Sequence, residues 1–166
     1  MRFDLSDVLN RVSDSLVVGE LVDLTGVRYR GIKPFSAPVS MTAAARFRDG
    51  VVSLDCSYTG RLELVCDRCL APFVQELSLR CSHIVVRELS GPDDETFLVA
   101  PDGIVELSQL ATNDILPELP SRFLCSEDCK GLCPVCGRDR NTGVCSCTPG
   151  RAETPLQALK DLLNNE

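Results

Sequence analysis

The chain has 166 residues, 44% of them hydrophobic and 25% charged, with a formal net charge of −7. That length builds a core without an all-disulfide framework, and that composition excludes a wholly disordered chain. No run approaches the roughly 20 apolar residues of a membrane-spanning helix, and the opening MRFDLSDVLNRVSDSL has no basic stretch leading into an apolar one, so no secretory signal is expected.

Charge is lopsided along the chain. Residues 1–70 balance nine Lys/Arg with nine Asp/Glu, whereas residues 71–166 set eight against fifteen. Eight cysteinates around two Zn²⁺ ions would carry the total to about −11. A nucleic-acid backbone is repelled by most of such a surface, so any RNA contact is local or runs through a basic protein partner.

Taken in chain order, Phe3–Val12 reads as a helix or an edge segment. Val27–Lys33 interleaves Arg28, Arg30 and Lys33 with Tyr29. These four are candidates for holding phosphate and stacking a base, with ordinary solvated charges as the alternative. Val39, Met41, Ala43, Ala45 and Phe47 alternate with mostly polar neighbours, the period of a half-buried strand. Asp49-Gly50 follows, a dipeptide suited to a two-residue hairpin turn. Val52, Leu54, Cys56, Tyr58, Leu62 and Leu64 then keep one parity, with Gly60 allowing a bend or bulge. After the segment CDRCLAP, Leu77, Leu79, Cys81 and Val85 resume the alternation. Residues 39–87 therefore read as a three-stranded antiparallel meander.

Gly91–Glu95 reads as a polar loop, with Asp93-Asp94-Glu95 a solvated stretch rather than a Mg²⁺ site. Phe97–Val99 and Ile104–Glu106 are expected to pair across Pro101-Asp102-Gly103. Ser108 is the expected cap of a helix over Gln109–Leu116, limited by Pro117 and Pro120. Thr154 and Pro155 open a last short helix with Leu156, Leu159, Leu162 and Leu163 on one face. The fold class is α+β: an antiparallel β-sheet meander with peripheral helices and a Cys-rich, zinc-binding C-terminal appendage. The expected domains are a β-rich part over residues 1–120 and a zinc module over residues 121–166.

The ten cysteines carry the chemistry. Without an export signal they are expected in the reducing cytoplasm, where clustered thiols point to metal. Cys66-Asp67-Arg68-Cys69 places two thiols between strands. Residues 125–147 supply Cys125, Cys129, Cys133, Cys136, Cys145 and Cys147, and CPVCG at 133–137 has the form of a zinc knuckle. Two sulfurs with two residues between them reach one ion, and the turn between them points backbone N–H groups at the thiolates. Eight ligands make two tetrahedral zinc sites. The preferred division is Cys66, Cys69, Cys125 and Cys129 against Cys133, Cys136, Cys145 and Cys147. The rival division pairs the two C-x2-C knuckles, and a single zinc is the smaller alternative. An iron–sulfur cluster uses similar ligands, and a thioredoxin-like pair would need its cysteines at a helix start in a βαβ frame. Cys56 and Cys81 fall on apolar parities and read as core thiols; His83 shares the parity of Leu79 and Cys81 and, as the only histidine, has a metal ligand as its alternative reading.

With one histidine there is little material for an acid–base pair, and no phosphate-binding glycine motif occurs. All-cysteine sites keep no open coordination position. The expectation is a non-enzyme with no small-molecule substrate and no membrane.

CDRCLAPF, VELSQLATNDILPELP and LCSEDCKGLCPVCGRDRNTGVCSC occur in that order, and TPLQALKDLL closes the chain. In these segments, spread over residues 40–165, the chain resembles the YceD family of large ribosomal RNA subunit accumulation proteins. Asp114 stands where that pattern has Glu, Pro117 interrupts a smoother apolar run, and Thr154-Pro155 stands where Asp-Pro is common. The resemblance implies a role in accumulation of 23S ribosomal RNA, hence in large-subunit biogenesis, and no known catalysis. Expected partners are a large-subunit ribosomal protein or precursor 23S rRNA. Arg138 and Arg140 could add to an RNA contact. A thiol-redox or zinc-reservoir protein is the alternative from a different class.

Overall fold

The computed structural model describes residues 1–88 and 97–147. Its elements are β1 (Arg2–Asp4), α1 (Ser6–Leu9), β2 (Ser15–Val22), β3 (Val39–Arg48), β4 (Val51–Val65), β5 (Pro72–Val86), β6 (Phe97–Val99), β7 (Ile104–Glu106) and α2 (Leu107–Glu118). The period-two pattern becomes a sheet with one buried face. Val39, Met41, Ala43 and Ala45 of β3 are buried, as are Val52, Leu54, Cys56, Tyr58, Leu62 and Leu64 of β4. A side chain every second residue reaches the same face of a strand.

The main sheet has the order β2-β3-β4-β5-β6. β2 runs antiparallel to β3 from Ser15↔Arg46 to Val22↔Val39, and β3 antiparallel to β4 from Ser40↔Thr59 to Arg48↔Val51. Asp49 and Gly50 close that hairpin at φ 53° and 87°, the left-handed pair such a turn requires. Gly60 meets Val39 closely enough that a Cβ would lie 3.3 Å from its Cγ2. Beyond it Leu62 bridges to Phe35. The meander expected over residues 39–87 is the centre of this sheet, and the fold is α+β.

Two short strands depart from expectation. Phe97–Val99 and Ile104–Glu106 do not pair with each other. β6 runs parallel to β5, Ile84↔Phe97 to Val86↔Val99. β7 forms a separate two-stranded sheet with β1, in which Phe3 faces Val105. Both of those side chains are buried, so the apolar cross-strand contact selects this partner. The turn at Pro101-Asp102-Gly103 packs against α1 instead. Gly103 has φ 68°, its carbonyl accepts from Leu5 N–H at 2.7 Å, and a Cβ there would lie 2.8 Å from Ser6 Oγ.

The helix also starts earlier than expected. Ser108 lies inside α2, where its carbonyl accepts from Thr112 Oγ1, and no side chain caps the helix. The buried Leu107 starts the helix because its N–H donates to the Met1 carbonyl at 2.7 Å. Pro117 fits within the last turn, and Leu119, held extended before Pro120, ends the helix. The span Phe3–Val12 contains both a strand and one helical turn. Cys56 is buried and Cys81 half-buried. The loop Gly91–Glu95, with Asp93-Asp94-Glu95, and the helix expected from Thr154 to Leu163 lie outside the described residues. Among the described residues, no helix is long and apolar enough to cross a membrane.

The chain divides into two compact units. The first comprises Met1–Leu64 and Pro72–Phe123, and its core includes Leu5, Val8, Leu24, Phe35, Met41, Leu54, Tyr58 and Ile115. The second comprises Val65–Ala71 and the chain from Leu124 onward. The Cys66–Cys69 loop thus clusters with the cysteine-rich tail, although in sequence it falls within residues 1–120.

Candidate metal centres

The two C-x2-C segments of the second unit fold into the same turn. Leu70 N–H donates to the Cys66 carbonyl and Gly137 N–H to the Cys133 carbonyl, each at 2.9 Å. Cys66 N–H donates to the Ala71 carbonyl at 2.9 Å and Cys133 N–H to the Arg138 carbonyl at 2.8 Å. The residue after the second cysteine is left-handed in both, Leu70 at φ 59° and Gly137 at φ 71°. This turn leaves amide N–H groups facing the first sulfur of each pair.

Eight thiols gather into two groups of four, Cys66, Cys69, Cys125 and Cys129, and Cys133, Cys136, Cys145 and Cys147. Within each group the sulfurs lie within 4.8 Å of one another. In the first, Cys66 Sγ is 3.7 Å from Cys129 Sγ and Cys69 Sγ 3.6 Å from Cys125 Sγ. The two knuckles fall in different groups, so the ribbon-like division is not the one formed. The first group is the more enclosed, with only Cys125 exposed. In the second, Cys133 is buried, Cys136 exposed, and Cys145 and Cys147 lie between.

Three residues that spacing did not single out shape the first group. Arg68 Nη1 donates to the Cys129 carbonyl at 2.9 Å and the Glu127 carbonyl at 3.3 Å. The Arg68 carbonyl accepts from Leu132 N–H at 3.1 Å. Gly131 is held against that carbonyl at φ 68°, where a Cβ would lie 3.0 Å from the oxygen. Asn141 Nδ2 donates to Cys129 Sγ at 3.3 Å, and Asn141 Oδ1 accepts from Lys130 N–H at 2.8 Å. Such partners orient and polarise metal ligands. None has a sequence signature, since each acts across a turn formed only when the tail folds.

The thiols are electrostatically divided. Burial pushes Cys66 up, but backbone N–H groups of Cys125, Cys69 and Arg68 outweigh it and bring the thiol to about 6. N–H groups of Cys136 and Val135 bring Cys133 to about 6 as well. Cys125 is pushed up to about 12, chiefly by Cys69 and Cys129, and Cys147 to about 12, chiefly by Cys136. Four clustered thiolates repel one another, and a divalent cation among them reverses that repulsion. The second unit has a further need of one. Among its described residues, every buried hydrophobic side chain is a cysteine: Cys66, Cys69, Cys129 and Cys133. Among those described residues no aliphatic core replaces what a metal would supply, and the donor chemistry fits a bound ion.

The nucleic-acid candidates lie in the first unit. Arg30 and Gly31 form a tight turn at φ 49° and 85°, between Tyr29 and Ile32, which exchange both backbone hydrogen bonds at 3.0 Å. The Tyr29 ring packs edge-on against Phe123 with centroids 5.9 Å apart, and its hydroxyl donates to the Leu119 carbonyl at 3.3 Å. Arg30 donates to the Ser121 carbonyl. Tyr29 is therefore half-buried and engaged inside its unit, while Arg28, Arg30 and Lys33 are exposed.

A β-sheet unit joined to a small unit bearing two four-cysteine groups defines a protein class built around cysteine knuckles able to hold metal ions. The family follows from the chain itself. It belongs to the YceD family, whose model, described as Large ribosomal RNA subunit accumulation protein YceD, matches residues 54–163. That span includes both knuckles and all eight clustered cysteines. Comparison with curated proteins and with solved structures gave no match.

Proposed function

We propose that this chain is a non-enzymatic, cytoplasmic zinc-binding factor that supports 23S rRNA accumulation and large-subunit biogenesis as an adaptor for a ribosomal protein or precursor rRNA. The observation that carries the zinc assignment is the second unit, whose eight cysteines form two groups of four and whose described buried hydrophobic residues are all cysteines. Four sulfur donors at knuckle turns suit Zn²⁺, which accepts tetrahedral thiolate sets. Cys66, Cys69, Cys125 and Cys129 would hold one ion, and Cys133, Cys136, Cys145 and Cys147 the other. Bound zinc would fix the turns and leave no coordination position open for a reacting water.

The adaptor role rests on the family and on charge. A net charge of −7 favours a basic partner and disfavours extended contact with phosphate. The exposed Val135 and Val144, with Lys130 and Arg140 lining the same cavity, offer an apolar patch edged by cations. Patches of this kind mark contact surfaces. Arg28 and Lys33 remain for a local RNA contact, with Tyr29 placing their turn rather than stacking a base.

The second reading, a thiol-redox or zinc-reservoir protein, is favoured by the exposure of Cys136 and the depressed Cys133 thiol. A tagged pull-down from the native host, resolved on a sucrose gradient with and without RNase, tests the proposal. Precursor 23S rRNA or large-subunit proteins in the tagged fractions support it. RNase then separates a protein partner from direct RNA binding. A protein that stays at the top of the gradient with neither overturns the adaptor and favours the redox reading.

A further inference from the structure

Three side chains of metal-ligand type meet in the first unit, apart from the eight clustered cysteines. Cys56 faces inward from β4, the central strand of the sheet, and is 2% exposed. His83 comes from β5 and Asp114 from α2. Their ligand atoms all lie within 4.8 Å of one another. His83 Nε2 is 3.0 Å from Asp114 Oδ2, and the same oxygen accepts from the Tyr58 hydroxyl at 2.6 Å. Asp114 is the buried charged residue of the described core, 8% exposed. A cavity of about 630 Å³ opens beside this cluster, with His83 and Asp114 on its wall and Phe97, Leu98 and Leu116 around them.

We propose that Cys56, His83 and Asp114 form a third metal site, for a divalent ion of the Zn²⁺ type, with its fourth coordination position facing the cavity. The donor set is mixed, one sulfur, one nitrogen and one oxygen, each a ligand that zinc accepts. As thiolate, neutral imidazole and carboxylate it carries −2, which neutralises a divalent ion where an unpaired buried charge is costly. Zinc–ligand bonds of about 2.0–2.3 Å place tetrahedral ligand atoms roughly 3.3–3.8 Å apart. The His83–Asp114 separation of 3.0 Å is just short of that range, and no separation in the cluster exceeds 4.8 Å. Binding would release the Cys56 thiol proton, and a second proton from His83 where the imidazole is charged, and replace the His83–Asp114 hydrogen bond with two bonds to the ion. Tyr58 would keep its hydrogen bond to Asp114 and orient the carboxylate, the outer-partner role common around metal ligands. Three protein ligands beside a cavity leave room for water or a small anion, unlike the closed four-cysteine groups.

Metal content separates this site from the other two. The full chain, loaded with excess Zn²⁺ under reducing conditions and cleared of free metal by gel filtration, should hold three equivalents. His83→Gln and Cys56→Ser should each hold two, with unchanged far-UV circular dichroism. Cobalt loading gives a second readout, because each variant should lose one equivalent while the tetrathiolate bands persist. Two equivalents in the unaltered chain overturn the third site and leave the assignment of the two four-cysteine groups standing. Three equivalents in both folded variants also overturn it. If one variant fails to fold, the other decides, since serine nearly preserves the shape of cysteine.

Discussion

The turn after Cys69 and the turn after Cys136 have the same backbone hydrogen bonds but different residues at the left-handed position, so substitutions there shift metal affinity in opposite directions. Leu70 holds φ 59° with its side chain 62% exposed. A left-handed L-residue costs about 1–2 kcal/mol that glycine does not. Glycine gives back about 0.4–1 kcal/mol through the greater freedom of the unfolded chain. Leu70→Gly should therefore stabilise the first knuckle by up to about 1.6 kcal/mol, with little burial to lose. Gly137 has φ 71° and open space where a Cβ would go, so Gly137→Ala is free of clashes and should cost about 1 kcal/mol from the backbone alone. Folding of a metal module is coupled to its metal. One kcal/mol then appears as roughly a fivefold change in apparent affinity. Titrating each variant with zinc against a chromogenic chelator should show tighter binding in the Cys66 group for Leu70→Gly and weaker binding in the Cys133 group for Gly137→Ala. Weakening by Leu70→Gly as large as that from Gly137→Ala would refute the shared-turn reasoning.

Gly131→Ala combines a left-handed φ with a Cβ 3.0 Å from the Arg68 carbonyl. It should weaken metal binding in the Cys66 group by more than Gly137→Ala weakens the other, as read by the same titration. Tyr58→Phe removes the donor to the buried Asp114, a loss of about 1–3 kcal/mol that urea unfolding followed by far-UV circular dichroism should detect; an unchanged midpoint would contradict it. A chelator should strip the Cys133 group, with its exposed Cys136, before the enclosed Cys66 group. Stopped-flow release from the two four-cysteine groups is then biphasic, and Cys136→Ser abolishes the faster of those two phases rather than the slower.

Much of the sheet could be read from the chain because its long strands repeat the signal. Val39–Phe47 and Val52–Leu64 each bury one parity, and Asp49-Gly50 adopts the conformation its dipeptide favours. The short strands carried no such information. Three residues do not establish a period, and β6 beside β5 and β7 beside β1 depend on contacts distant in sequence. The preferred division of the cysteines, which closes the second group within residues 133–147 and so asks for little long-range order, is the grouping the structure forms. The turn at Leu70 could not be anticipated, since leucine does not signal a positive φ. Nor could the support from Arg68 and Asn141, which are ordinary polar residues until the tail folds. The meeting of Cys56, His83 and Asp114 was equally hidden. Parity placed Cys56 and His83 facing the core, but only the packing of α2 brings a carboxylate to both.

The ratio of mature 23S to 16S rRNA in the native host tests the central claim most directly. Cells lacking the chain should show a lowered ratio. The unaltered chain should restore it, and a chain carrying Cys66→Ser and Cys133→Ser in its second unit, with the first unit still folded, should not. A ratio unchanged by loss of the chain, or restored equally by the double variant, would contradict the account.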